Sequence, residues 1–118
     1  MVVHQGDVWW ANLREPVGSE PGYRRPIIVV QCDDFNSTAI HTIVCVAITS
    51  NLNLVDKPGN VALSNEDTGL PKDSVANVSH LMTLDRIFLL ERVGRLHPDV
   101  LDEVLDGVEL VLGRLKEE

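Results

Sequence analysis

The residues with the clearest chemical potential lie in the segment from Gly18 to Pro26, which reads Gly-Ser-Glu-Pro-Gly-Tyr-Arg-Arg-Pro. This segment combines a carboxylate, a phenol and two guanidinium groups, and it directly precedes a run of apolar residues. A carboxylate can accept a proton during catalysis, and a guanidinium can donate paired hydrogen bonds to phosphoryl oxygens. The segment is therefore the strongest candidate in the sequence for acid–base chemistry and anion binding.

Other common catalytic signatures are missing from the sequence. No glycine-rich phosphate loop precedes a lysine, there is no Gly-x-Ser-x-Gly motif, and cysteine and histidine do not cluster in a metal-binding pattern. The four histidines are scattered singly along the chain. We therefore expect neither a metal site nor a cofactor.

The elements around the segment follow from residue patterns. Runs rich in β-branched and aromatic residues predict strands, and clusters of Gly, Pro, Asn, Asp and Ser predict turns. Residues 14–25 are predicted to form one loop, and a loop of about a dozen residues is longer than ordinary hairpin connections and more often functional. Loops are also expected at 33–37 and 64–73. The predicted strands are Gly6–Leu13, Pro26–Val30, Thr42–Thr49, Val61–Leu63 and Ser74–Val78.

From Pro98 onward the apolar spacing changes to that of an amphipathic helix, with acidic residues on the opposite, solvated face. Pro98 suits a first helical turn, and Asp99 favours the positive end of the helix dipole. Gly107 and Gly113 are expected to weaken the helix by roughly 1 kcal/mol each relative to alanine. Short strands followed by one helix predict a mainly β fold, a small antiparallel barrel with a C-terminal helix.

Length and composition set the broad class. The 118 residues, 44% of them hydrophobic, fit one folded domain spanning residues 1–118. The sequence has no apolar stretch of the length that a membrane span needs and no signal-peptide pattern, so we expect a soluble, cytoplasmic protein. Cys32 and Cys45 lie in or just beyond apolar segments and are expected to be buried free thiols.

The net charge of −8 argues against binding nucleic acid by bulk attraction, because phosphate contacts come from lysine and arginine. The charge is uneven, however. Residues 99–118 carry seven acidic and two basic side chains, which is most of the excess. The rest of the chain can still present a local basic surface.

Several short motifs follow one another at a spacing that is known from a protein family. They are Gly6–Trp10, Gly18–Glu20, Arg25–Pro26, Ala47–Ser50, Asp73–Val75 and Thr83–Asp85. Together they span nearly the whole chain and resemble the MazF/PemK family, also called Kid, which comprises toxins of type II toxin–antitoxin systems. The resemblance implies a small antiparallel, SH3-like β-barrel of the CcdB/MazF type with a C-terminal helix.

The resemblance also implies an activity. Family members are endoribonucleases that cut single-stranded RNA, usually mRNA, at short sequences without metal and leave 2′,3′-cyclic phosphate and 5′-hydroxyl ends. By resemblance, Arg25 is the catalytic arginine and the Thr49 hydroxyl is the second donor to the phosphoryl group, where negative charge grows during attack by the ribose 2′-oxygen. Proton transfer is open between Arg25 itself and Glu20, a carboxylate being the easier base.

Single-stranded RNA is normally read by stacking on its bases and by hydrogen bonds to their edges. Trp9 and Trp10 are expected to serve the core or an interface, because adjacent strand residues face opposite ways. Met82 stands where several relatives have a basic residue. The candidates for RNA contact are Ser19, Tyr23, Arg24, Asn51, Asn53, Asn77, Ser79 and His80.

Partners follow from the resemblance alone. It implies a homodimer with its RNA groove near the subunit interface and a small MazE-like antitoxin, whose acidic tail would compete with RNA for the groove. Two alternatives stay open. A CcdB-like gyrase poison needs a tryptophan-containing C-terminal end, whereas this chain ends Gly113–Glu118. A non-catalytic small-barrel binding module would act in cells without Arg25, which could then merely pair with Glu20.

Overall fold

The computed structural model describes residues 2–13 and 24–114. Within these ranges the helices are α1 (Asp33–Asn36), α2 (Asn65–Thr68) and α3 (Pro98–Val111), and 3₁₀ turns lie at Leu52–Asp56 and Arg86–Phe88. The strands are β1 (Asp7–Asn12), β2 (Arg24–Val29), β3 (Thr42–Thr49), β4 (Val61–Leu63), β5 (Ser74–Asp85) and β6 (Leu89–Arg95). The predicted mainly β fold with a C-terminal helix is confirmed.

The strands form one antiparallel sheet in the order β4-β5-β3-β2-β1-β6. The sheet curls into a half-barrel, and α2, which follows β4 at one edge, contacts β6 at the other edge. At Gly94 a Cβ atom would lie 2.7 Å from the Thr68 carbonyl oxygen, so only glycine allows this approach. The expected barrel is therefore a curled sheet whose two edges meet through α2.

The sheet buries apolar side chains on both faces, which explains the continuous apolar run in β2. Ile28 belongs to the core on one face, together with Val104 of α3. Ile27 and Val29 belong to the core on the opposite face. A strand that is covered on both sides has no need for polar residues at alternate positions.

Strand β6 is absent from the sequence-based prediction, because its residues show neither strict alternation nor a continuous apolar run. A buried carboxylate holds it in place. Asp7, which is fully buried, accepts hydrogen bonds from the Nε atoms of Arg95 at 2.9 Å and Arg92 at 3.3 Å. The backbone N–H of His4 donates to the other carboxylate oxygen. These ion pairs connect β1 to the edge strand β6, whose own residue pattern does not predict a strand.

Helix α3 begins as predicted, with Pro98 in its first turn and the His97 ring accepting a hydrogen bond from the backbone of Asp99. The expectation that Gly113 weakens the helix is wrong. Gly113 has a φ of +77° and lies just beyond the last turn, where glycine commonly terminates helices. No helix in the described ranges is long and apolar enough to cross a membrane.

Both cysteines are free thiols, as expected, but only one is buried. Cys45 lies in the middle of β3 and is fully buried. Cys32 is exposed, because it precedes the short helix α1 and is not part of a strand. The expectation of burial is correct for Cys45 and wrong for Cys32.

Candidate active site

A groove of about 500 Å³ lies at the end of the sheet where β2 begins and β3 ends. One part of its wall is apolar and comes from β1, the Leu52–Asp56 turn and the segment before β5. The other part carries side chains that can donate hydrogen bonds. These polar lining residues are Arg25, Thr49, Ser50, Lys72, Ser74, Asn77 and His80.

Arg25 and Thr49 come together through the pairing of β2 with β3. The β2–β3 ladder ends with Ile27 opposite Ala47, and Arg25 and Thr49 each lie two residues beyond this pair, toward the same end of the sheet. Both side chains line the groove. The sequence-based prediction put Arg25 at the end of a loop, whereas β2 already begins at Arg24, so the guanidinium projects from a strand. The pairing of β2 with β3 therefore brings the two predicted catalytic residues to the same groove.

The Thr49 hydroxyl is oriented by the turn that follows β3. The backbone N–H of Asn51 donates to Thr49 Oγ1 at 3.1 Å, and Asn51 Oδ1 in turn accepts from the backbone N–H of Asn53 at 3.2 Å. The hydrogen bond to Oγ1 uses a lone pair of the hydroxyl oxygen, so the hydroxyl proton remains available to donate. Asn51 and Asn53, both predicted to bind RNA, are exposed in the turn after β3 and are not among the groove-lining residues.

Of the other predicted RNA-binding residues, Asn77 and His80 line the groove, both from β5. Ser79 does not line it, but its hydroxyl donates to Asn77 Oδ1 at 3.2 Å. Arg24 is exposed and stacks over the Trp10 ring, with its guanidinium carbon 4.7 Å from the ring centroid. Ser19, Glu20 and Tyr23 lie outside the described residues.

Several groove residues were not predicted from the sequence, among them Lys72 and Trp10. Lys72 supplies a cation from the loop before β5, and Trp10 supplies part of the apolar wall. Trp9 is buried in the core as expected, and Trp10 faces the opposite way, as alternation along a strand requires. The sequence signal for Lys72 was its position directly before the Asp73–Val75 motif. Asp73 itself accepts from the backbone of Asn65 and holds that loop.

The charges around the groove contrast with the acidic chain as a whole. Arg24 and Arg25 lie at the start of β2 and Lys72 lines the groove, whereas the exposed acids of α3 belong to a different element. In the part of the chain that the structure describes, no three His, Cys, Asp or Glu side chains form a group that could hold a metal ion. The arrangement offers cationic and hydroxyl donors to an anionic, partly apolar ligand, which is the chemistry of a nucleotide.

The sequence is similar to proteins of one family over nearly its whole length. The sequence model of the family described as PemK-like, MazF-like toxin of type II toxin–antitoxin system matches residues 4–112. The chain is 41% identical over 112 residues to endoribonuclease MazF6 of Mycobacterium tuberculosis, covering 95% of this chain and 98% of that protein. It is 30% identical to endoribonuclease EndoA of Bacillus subtilis, covering 95% and 96%.

Among solved structures, a MazE–MazF crystal structure from Deinococcus radiodurans superposes with a TM-score of 0.79 at 27% identity, covering 96% of this chain and 97% of that chain. A second structure, of MazF from the same organism, superposes with a TM-score of 0.74 at 27% identity. The predicted MazF-type fold is therefore confirmed.

Proposed function

The chain belongs to the family of PemK-like, MazF-like toxins of type II toxin–antitoxin systems, and from this membership we propose that it is an endoribonuclease that cleaves single-stranded RNA in the groove beside Arg25 and Thr49. The observation that carries the proposal is that these two donors line one groove, where β2 begins and β3 ends. The names of the relatives MazF6 and EndoA, both endoribonucleases, support the reaction class.

The proposed chemistry is transfer of the phosphoryl group within the RNA chain. The ribose 2′-oxygen attacks the neighbouring phosphorus and loses its proton, while the bond to the 5′-oxygen breaks and that oxygen gains a proton. The products are a 2′,3′-cyclic phosphate and a 5′-hydroxyl. Negative charge builds up on the phosphoryl oxygens, and donors from Arg25 and Thr49 stabilise it. The reaction needs no electron transfer.

The test is cleavage of a long single-stranded RNA by the purified protein in excess EDTA, with the fragment ends mapped. We expect discrete cuts with cyclic-phosphate ends. Removing one preorganised donor typically costs about 10²–10³ in rate, so Arg25→Ala and Thr49→Val should each lower kcat by at least about 100-fold. Valine keeps the shape of threonine and its strand preference while removing the hydroxyl.

Matched controls exist elsewhere on the surface. Arg114→Ala removes an exposed guanidinium beyond α3, and Thr83→Val removes an exposed hydroxyl from β5. Both variants should cleave at the wild-type rate. No cleavage by the wild-type protein, or undiminished cleavage by Arg25→Ala, would overturn the proposed function and favour a binding role, with gyrase as the next target to test.

We further infer that the protein acts in the cytoplasm as a homodimer and is neutralised by a MazE-like antitoxin. The structure from Deinococcus radiodurans that contains both MazE and MazF supports an antitoxin partner for this chain. An antitoxin with an acidic tail would occupy the same cationic groove as RNA, so the two should compete. Simultaneous binding of RNA and antitoxin in a fluorescence titration would contradict this expectation.

A further inference from the structure

The groove wall formed by β5 contains an irregularity. The pairing of β3 with β5 runs regularly to Val46 opposite Leu81 and then shifts, so that Ala47 lies opposite Asn77. The three residues 78–80 therefore have no partner in the ladder with β3. Bulges of this kind bend a strand and redirect its side chains, and they occur often beside active sites. Here the bulge brings Asn77 and the last of the three, a histidine, to the groove.

One side chain outside the groove holds this bulge. Asn60 Oδ1 accepts from the backbone N–H of Val78 at 3.0 Å, which gives a partner to an amide that the ladder with β3 leaves out. Asn60 Nδ2 donates to Asn77 Oδ1 at 3.3 Å and to the Leu54 carbonyl oxygen at 2.8 Å. Leu54 and Asn77 both line the groove, and Asn60 does not. One amide thus connects two parts of the groove wall.

These contacts also decide which way the Asn77 amide faces. Its Oδ1 accepts two hydrogen bonds, one from Asn60 and one from the Ser79 hydroxyl. Its NH₂ group donates no hydrogen bond to any residue that the structure describes. Since the side chain lines the groove, the NH₂ group is what it offers to a ligand.

We propose that Asn60 is a positioning residue that sets base preference, by holding Asn77 so that its NH₂ group donates to the exocyclic keto oxygen of an unpaired uracil or guanine. The inference rests on the proposed RNA-cleaving function and extends it to substrate selection. Discrimination of this type is effective, because a base with an amino group at that position would leave two donors facing each other.

The decisive variant is Asn60→Asp, which keeps the size of the side chain. The carboxylate can still accept from Val78 but can donate neither to Asn77 nor to the Leu54 carbonyl oxygen. It turns away from that carbonyl, and the Asn77 amide rotates so that its NH₂ group donates to the carboxylate. Its Oδ1 would then face the groove as an acceptor. At one position of the cleaved sequence, the preference should move from uracil or guanine towards adenine or cytosine, by about tenfold or more in relative kcat/KM.

The measurement is competitive cleavage of a randomised single-stranded RNA pool, with sequencing of the cut sites. Asn77→Asp presents an acceptor to the groove without any change at Asn60, and it should shift the preference at the same position in the same direction. In an Asn77→Ala background, Asn60→Asp should change the base preference no further, because coupled residues are not additive.

Asn36 provides a matched control, since its buried amide also makes a network, with Gln31 and Asp33, but it does not line the groove. Asn36→Asp should lower the melting temperature and leave the cut sequences unchanged. A folded Asn60→Asp variant that cleaves with wild-type base preference would overturn this inference alone. Absence of cleavage by the wild-type protein would overturn the proposed function and this inference with it.

Discussion

Threonine and asparagine side chains around the groove have different roles that only their hydrogen bonds reveal. Thr49 and Asn77 line the groove, whereas the backbone N–H of Asn51 and the side-chain amide of Asn60 donate hydrogen bonds to these two residues. All four belong to residue types that serve equally well in turns and in RNA contacts. A substitution of Asn51 keeps the backbone N–H that donates to Thr49, so it should act only through the turn that its side chain caps at Asn53. A substitution of Asn77 should instead change the surface that the groove presents to a ligand.

The group that accepts the proton of the 2′-hydroxyl can be identified by one conservative change. Glu20→Gln removes the carboxylate and keeps the side-chain size. If Glu20 is the base, kcat/KM should fall by about 10²-fold and the acidic limb of its pH profile should disappear. Glu103→Gln on the exposed face of α3 is the control. An unchanged rate and pH profile would assign proton transfer to Arg25 instead.

The two thiols should differ in reactivity, because only the thiolate is nucleophilic. Burial raises the pKa of the Cys45 thiol from its ordinary value of 9.0 to about 12, and Cys32 is exposed. At pH 8 a thiol reagent such as Ellman's should titrate one cysteine in the native protein and two in guanidinium chloride, and none in native Cys32→Ser. Rapid reaction of native Cys32→Ser would contradict the burial of Cys45.

The raised pKa of Cys45 also makes stability depend on pH. Because the pKa of this thiol is higher in the folded than in the unfolded state, the thiol stabilises the fold fully below pH 9, and its contribution is lost as the pH rises towards about 12.

At the scale of elements, Gly107 lies inside helix α3, where glycine has a low helix propensity, yet the packing of the helix requires it. A Cβ atom at Gly107 would lie 2.1 Å from the carbonyl oxygen of Gly59 and 3.1 Å from Val78 Cγ1. Gly59 has a φ of +84° and belongs to the turn that leads into β4. The helix therefore packs directly on the backbone of this turn, at a point where any larger residue would push the two apart.

Gly107→Ala should consequently destabilise the protein by about 1–3 kcal/mol, through overpacking. Helix propensity alone predicts the reverse, a gain of about 1 kcal/mol. Urea unfolding followed by circular dichroism measures the difference. Glu103→Ala, on the exposed side of the same helix, should stay within about 0.5 kcal/mol of wild type. A more stable Gly107→Ala variant would show that the helix does not contact the turn this closely.

At the scale of the whole molecule, charge is segregated. The chain carries a net charge of −8, yet Arg24 and Arg25 lie at the start of β2 and Lys72 lines the groove. Electrostatic attraction between exposed charges is screened beyond roughly 10 Å at moderate salt, so the field that a phosphate meets in the groove comes mainly from nearby residues. This separation resolves the apparent conflict between an acidic protein and the RNA substrate proposed above.

Lys72→Gln tests this electrostatic account. If Lys72 contacts one RNA phosphate, its loss should weaken binding of single-stranded RNA and lower the slope of log affinity against log salt by about 0.7. The affinity is measured by fluorescence anisotropy at several salt concentrations, with RNA that carries 2′-deoxyribose at the cleavage position. Lys57→Gln, an exposed lysine outside the groove, should leave the slope unchanged. Equal slopes for Lys72→Gln and wild type would remove Lys72 from the RNA site.

Much of this fold could be read from local patterns. Strands β1, β3 and β4 lie within one residue of their predicted bounds, and helix α3 begins at the predicted Pro98, because their periodicity reports directly which side chains face a core. The end of the helix differs, since the predicted apolar face continued to Leu115 and the helix ends at Val111. The residues proposed for chemistry, Arg25 and Thr49, were identified because their motifs resemble a known family. Patterns of this kind involve neighbours along the chain, and no long-range contact is needed to recognise them.

Other features depended on residues far apart in the sequence. Strand β6 is held by the pairing of Arg95 with Asp7, 88 residues earlier, and the second half of β5 is defined by its pairing with β3 across a bulge. The groove brings Trp10 and Lys72 to one surface for the same reason. A strand register or a buried ion pair depends on which segments meet in space, and that is decided only when the sheet curls and its two faces are covered.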